Sequence, residues 1–121
     1  MDKEFAEFQK KTSIKNFDLN YFCLGLCGEI GEVANEVKKI ERDDNDQLTD
    51  ERKNKIKNEC GDVLWYLQGI CHKLDCTIPG LMKMNIEGHE ASVLSSIPLP
   101  KWKNLLPERK NKEKTKEKTS F

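Results

Sequence analysis

The chain has 121 residues, 36% hydrophobic and 35% charged, which suits one domain with a large solvated surface. Its apolar runs are only a few residues long, far short of the roughly 18 that span a bilayer, and the stretch 1–11 alternates charge instead of reading as a secretion signal, so a cytoplasmic protein with no membrane partner is expected. The formal net charge is zero, which removes the simplest argument for a nucleic-acid partner.

Residues 3–11 are helix-permissive, with Phe5 and Phe8 three apart on one weakly amphipathic face. Lys15 to Asp18 reads as a loop, with Asp18 placed to cap a second helix. From Leu19 to about Arg42 an apolar stripe runs through Leu26, Ile30, Val33, Val37 and Ile40 at spacings of 4, 3, 4 and 3, the mark of one helical face. Gly25, Gly28 and Gly31 interrupt it, each at a cost of about 1 kcal/mol against Ala. Two readings stand for them: tight helix packing, or close approach of a ligand.

Asp43 to Asp46 breaks the helix. A calcium loop counted from Asp44 would need Gly sixth and Glu twelfth, and those positions are Thr49 and Lys55, so the segment is a polar connection with Thr49 or Asp50 as the next cap. A second long helix is predicted from about Glu51 to Leu74, its stripe formed by Ile56, Cys60, Val63, Leu67, Ile70 and Leu74. Thr77 caps a shorter helix over 78–88, with Pro79 tolerated in its first turn. After Gly88 the helical signal decays and Pro98, Pro100 and Pro107 intervene.

The zero net charge divides unevenly. Residues 1–100 carry −5 and residues 101–121 carry +5, so a domain over 1–90 is expected to be followed by a Pro-containing basic tail over 91–121 that is partly disordered. No strand-like alternation occurs. The fold class is all-α: an antiparallel helical hairpin with short flanking helices, of a four-helix-bundle type once assembled into oligomers.

The five cysteines are odd in number and form no C-x-x-C pair. Cys23 and Cys27 are four apart and could in principle share a zinc ion, but small buried hydrophobes in a reducing compartment are expected instead. His72 reads as structural, and Trp65 as core or subunit interface before base stacking. Trp102 between Lys101 and Lys103 is a weak basic-aromatic cluster.

Four carboxylates carry the chemistry. Glu29 and Glu32 each precede a stripe residue, as do Glu59 and Asp62, and each pair is three apart, so each projects from one face beside the buried seam. Glu36, Glu41 and Glu51 are taken as ordinary surface groups. Folding the helices through the 43–49 connection brings the two pairs level to within about 2 Å at 1.5 Å rise per residue. Four anions at one height repel unless a divalent cation joins them, and carboxylate-only ligation favours Mg²⁺, with Mn²⁺ possible, over zinc.

The run Gly25 to Val33, with Glu29-Ile-Gly-Glu32 at its centre, resembles the first acidic motif of the MazG-like nucleotide pyrophosphohydrolases, and Glu59-Cys-Gly-Asp62-Val-Leu-Trp-Tyr-Leu resembles their second. The resemblance covers roughly residues 20–75. It implies an all-α hairpin assembled as a homodimer or homotetramer. It implies Mg²⁺-dependent hydrolysis of a nucleoside triphosphate substrate, standard or non-standard, ribo or deoxy, to monophosphate and pyrophosphate. A metal-activated water would attack the α-phosphorus, with Glu29, Glu32, Glu59 and Asp62 as metal ligands and catalytic residues. Asn85 is carried over as a substrate contact, and Lys83 nearby is taken as a second one, standing in for a family cation. Two departures stand out. Gly28 occupies a position where the family often has Glu. The family pattern N-x-x-K-L-x-x-R begins at Asn85, but its Lys falls on Gly88 and its Arg on Val93. Lys83 or His89 substituting, Lys101, Lys103 or Arg109 folding back from the tail, and a metal site with slow turnover are the three readings of that loss. The alternative function is a catalytically weak metal- or nucleotide-binding module whose basic tail engages an anionic partner.

Overall fold

The structure, a computed structural model, describes residues 1–96, with side chains through His89. It is all-α: α1 (Asp2–Thr12), α2 (Leu19–Asp43), α3 (Asp50–Lys73) and α4 (Ile78–Ser96), with no strand among the described residues. None of these helices is long and apolar enough to cross a membrane. The chain divides into two units, Met1–Ile78 and a second beginning at Pro79.

In the first unit α2 and α3 form the expected antiparallel hairpin and α1 lies against α3. Thr49 caps α3 by accepting a hydrogen bond from the backbone N–H of Arg52 at 3.1 Å. Asp18 occupies the cap position of α2, but its side chain makes no capping bond. Asn45 and Asp46 both adopt left-handed backbone (φ 53° and 62°), turning the chain within the predicted polar connection. Asp75 does the same after α3, and the Cys76 N–H reaches back to the Cys71 carbonyl at 3.0 Å, a Schellman-type stop.

α1 is held on α3 by two side chains. The Trp65 indole Nε1 donates to Thr12 Oγ1 at 2.8 Å, and Thr12 in turn donates to the Phe8 carbonyl. His72 Nε2 lies 3.1 Å from the Ala6 carbonyl. Trp65 and His72 are thus anchors, which accounts for their place on a helix otherwise rich in charge. Phe22 packs among Phe17, Tyr21 and Trp65 and is one of two buried apolar side chains among the described residues; the other is Cys71, whose thiol burial pushes up to about 11 and so keeps protonated and unreactive at neutral pH.

Three expectations need correction. The fourth predicted helix does not stop near Gly88 but continues as α4 to Ser96, because residues 90–95 hold no breaker and Pro98 lies beyond. Cys23, Cys27 and Cys60 are exposed, not buried, since a hairpin of two helices leaves part of each helix open to solvent. Glu36 is buried, not a surface group: it accepts from the Arg52 guanidinium at 2.8 Å and from Lys39 at 3.0 Å. The tail residues Lys101, Trp102, Lys103 and Arg109 lie outside the described residues.

The glycines separate by role. A Cβ on Gly25 would run into the Tyr66 ring, and one on Gly69 into the Phe22 ring, so these two let aromatic side chains lie on helix backbone. Gly28 and Gly31 face nothing within 4 Å. Gly25→Ala is therefore expected to destabilise by about 1–3 kcal/mol through overpacking. Gly28→Ala is expected to stabilise by up to about 1 kcal/mol through helix propensity. Urea unfolding of the two variants reads the opposite signs.

Candidate functional site

The register of the hairpin is fixed near its turn. Arg52 is 8% exposed; its Nη1 donates to Glu36 Oε1 at 2.8 Å and its Nε to Asp44 Oδ2 at 2.7 Å. This bond pairs position 36 of α2 with position 52 of α3. Seven residues further from the turn on each helix stand Glu29 and Glu59. Seven residues are two turns, about 10 Å, so the pairing that seats Arg52 also sets these two carboxylates opposite one another.

Glu29, Glu59 and Asp62 each offer a carboxylate oxygen within 4.8 Å of the other two, with Glu29 and Glu59 half-buried and Asp62 exposed. Glu32 is not part of this close group, but its charge reaches Glu29. Burial first, then the negative charges of Asp62, Glu59 and Glu32 and a hydrogen bond with Glu59, hold the Glu29 carboxyl above the usual carboxylate range. Removing this repulsion calls for positive charge, and no Lys or Arg is paired with the three among the described residues. An all-oxygen donor set from two rigid helices fits a hard divalent cation such as Mg²⁺. It does not fit zinc, for neither Cys nor His joins the cluster.

Tyr66 lies one turn beyond Asp62 on the same face. Burial, then Tyr21, then the charges of Glu29 and Asp62 raise its phenol, so its hydroxyl stays a hydrogen-bond donor beside the cluster. The i, i+4 spacing from Asp62 is the sequence signal for it. Lys83 and Asn85 are exposed on α4, in the second unit.

Residues 18–77, which contain all four acidic positions, match the model of the MazG nucleotide pyrophosphohydrolase domain. The chain belongs to the MazG family. The match spans α2, α3 and their connection, so the MazG region is the hairpin itself with Asp18 before it and residues 74–77 after it. A curated relative, the "Gene 37 protein" of Mycobacterium phage L5, is 40% identical over 68 residues, which are 56% of this MazG chain and 60% of the relative. The aligned part is thus somewhat under two thirds of that relative's length. No solved structure matches.

Proposed function

We propose that this protein is a Mg²⁺-dependent nucleoside triphosphate pyrophosphohydrolase, releasing monophosphate and pyrophosphate. The observation that carries the reading is the convergence of Glu29, Glu59 and Asp62 from two helices inside the MazG region. Glu32 is proposed as the fourth member of the set, one turn from Glu29. Glu29, Glu32, Glu59 and Asp62 would hold a divalent cation, which would supply Lewis acidity to offset phosphate charge and ease loss of a proton from the attacking water. The chain's own part is to hold the carboxylates in place before substrate arrives, on helices locked by the Arg52–Glu36 bond. A carboxylate of the set, or a neighbouring one, would take the water's proton. Asn85 is proposed as a nucleotide contact on the family's pattern alone, and Lys83 as a local substitute for the cation that the pattern has lost at Gly88.

The test is a panel of nucleoside and deoxynucleoside triphosphates incubated with Mg²⁺ or Mn²⁺, with monophosphate and pyrophosphate resolved by chromatography. Metal-dependent appearance of both products on at least one substrate is expected. Tight nucleotide binding with no turnover on any substrate would overturn the enzyme reading and favour a binding module.

We further propose a homodimer or homotetramer. Only Phe22 and Cys71 are buried apolar side chains in the described part of one copy, while Ile30 (52% exposed), Val37 (49%) and Leu64 (45%) remain open on the hairpin. A two-helix hairpin with so small a core needs a further layer, and a second copy supplies one of matching length. An Ile30→Asp/Val37→Asp variant is expected to sediment as a smaller species than the wild type. A wild type that sediments as a monomer at high concentration contradicts the assembly.

A further inference from the structure

At the open end of the hairpin, remote from the turn, α1, the α1–α2 connection, the start of α2 and the end of α3 line a half-open cavity of about 380 Å³. That volume lies in the range of small-ligand sites. Three lysines, Lys10, Lys15 and Lys73, are among its lining residues together with His72, and no Asp or Glu is. This is unusual on a body whose first 100 residues carry −5. None of the three lysines is paired with a carboxylate among the described residues. Lys73 Nζ donates to Asn16 Oδ1 at 2.7 Å, which positions it and leaves two further N–H groups. Lys15 Nζ sits 5.1 Å from the centre of the Phe17 ring.

A second observation comes from the cavity wall. Gln9 is 1% exposed and its side-chain Nε2 has no hydrogen-bond partner. An unpaired buried amide N–H is costly, and natural folds seldom leave one without a reason. Gln9 borders the cavity, and the last torsion of its side chain is soft, so an acceptor oxygen seated there can be met by a small rotation of the amide. Several cationic donors around one space, plus an amide lacking an acceptor, call for a ligand with multiple charged oxygens.

We propose that this cavity binds a phosphate group, either free or as the ester of a small metabolite, at a site separate from the carboxylate cluster. Phe22, on its wall, is two turns or about 10 Å along α2 from Glu29, and Lys73 is about 16 Å along α3 from Asp62. One phosphate cannot occupy both places. The opposite charge of the two sites separates them chemically as well: the carboxylates take phosphate only through a cation, whereas the lysines take it directly.

That difference makes the test independent of the enzyme reading. The full chain is titrated in EDTA with orthophosphate, with deoxyuridine monophosphate and with uncharged deoxyuridine, followed by calorimetry and amide NMR. Saturable binding of a phosphate-bearing probe is expected, with shifts at Lys15, Asn16 and the Gln9 side-chain amide and none from deoxyuridine. Tighter binding of the monophosphate than of orthophosphate identifies an ester ligand; equal binding identifies free phosphate. Lys15→Gln/Lys73→Gln is expected to weaken binding by about tenfold or more, the scale of a lost charge-assisted bond. Gln9→Leu is expected to weaken binding while raising the thermal midpoint of the free protein, since it removes the unpaired amide. No saturation, equal binding by the lysine variants, or equal displacement by chloride would overturn the proposal.

Discussion

Glu59→Ala is expected to lower Mg²⁺-dependent pyrophosphate release by at least about 10²-fold, because a cation site supplies several kcal/mol of transition-state stabilisation and 1.4 kcal/mol is a decade. The same change should leave helicity intact. Glu59 is in repulsive contact with Glu29, and alanine is the better helix former. Without metal, therefore, the variant should unfold at the same temperature as the wild type or higher. Activity and stability then move in opposite directions, which simple misfolding cannot produce. Mg²⁺ should raise the thermal midpoint of the wild type by selective binding to the folded state, and raise that of Glu59→Ala much less. A variant with full activity would remove these carboxylates from the site.

The second large effect is on stability. Arg52→Met is expected to lower the thermal midpoint at neutral pH and to flatten its dependence on acid. Lys39 and then Arg52 hold the Glu36 carboxyl below its ordinary 4.5, and Arg52 holds that of Asp44 below 3.8. In that window the unfolded chain binds more protons than the folded one, so stability rises with pH. The contribution is fully present above the unfolded values and is lost as pH falls through the lowered folded ones. Without the guanidinium the Asp44 part of that loss disappears and the Glu36 part, held first by Lys39, shrinks, and two carboxylates are left without their shared partner. Arg52→Lys should rescue little, since one ammonium cannot reproduce the fork that engages Asp44 and Glu36 from different nitrogens. Thermal melts from pH 2.5 to pH 7 compare the slopes. An Arg52→Met curve parallel to that of the wild type would deny the network its role.

Much of the hairpin is legible in the sequence. The 4, 3, 4, 3 spacing marks α2 and α3 to within a residue or two at each end, and Thr49 announces the start of α3. Glu29, Glu59 and Asp62 meet because level spacing from a turn is a local property of two straight helices. Glu36 resists such a reading. Its partner Arg52 is sixteen residues away across the turn, and nothing in the helical periodicity singles out one Glu of several. The exposed cysteines and the half-exposed Ile30 and Val37 have a different cause: an apolar stripe states that a face is to be buried, not that this chain alone buries it. The cavity beside Gln9 draws on three separated segments and leaves no motif at all.

The Arg52–Glu36 bond also dictates where this chain can change length. One residue added to α2 between Glu29 and Glu36, or to α3 between Arg52 and Glu59, turns a carboxylate by about 100° and lifts it by about 1.5 Å. The three oxygens then no longer meet. Residues added between Asn45 and Leu48, outside both seven-residue spans, leave them where they are. Length variation among descendants of this hairpin should accordingly gather in that short connection, while both spans keep their count.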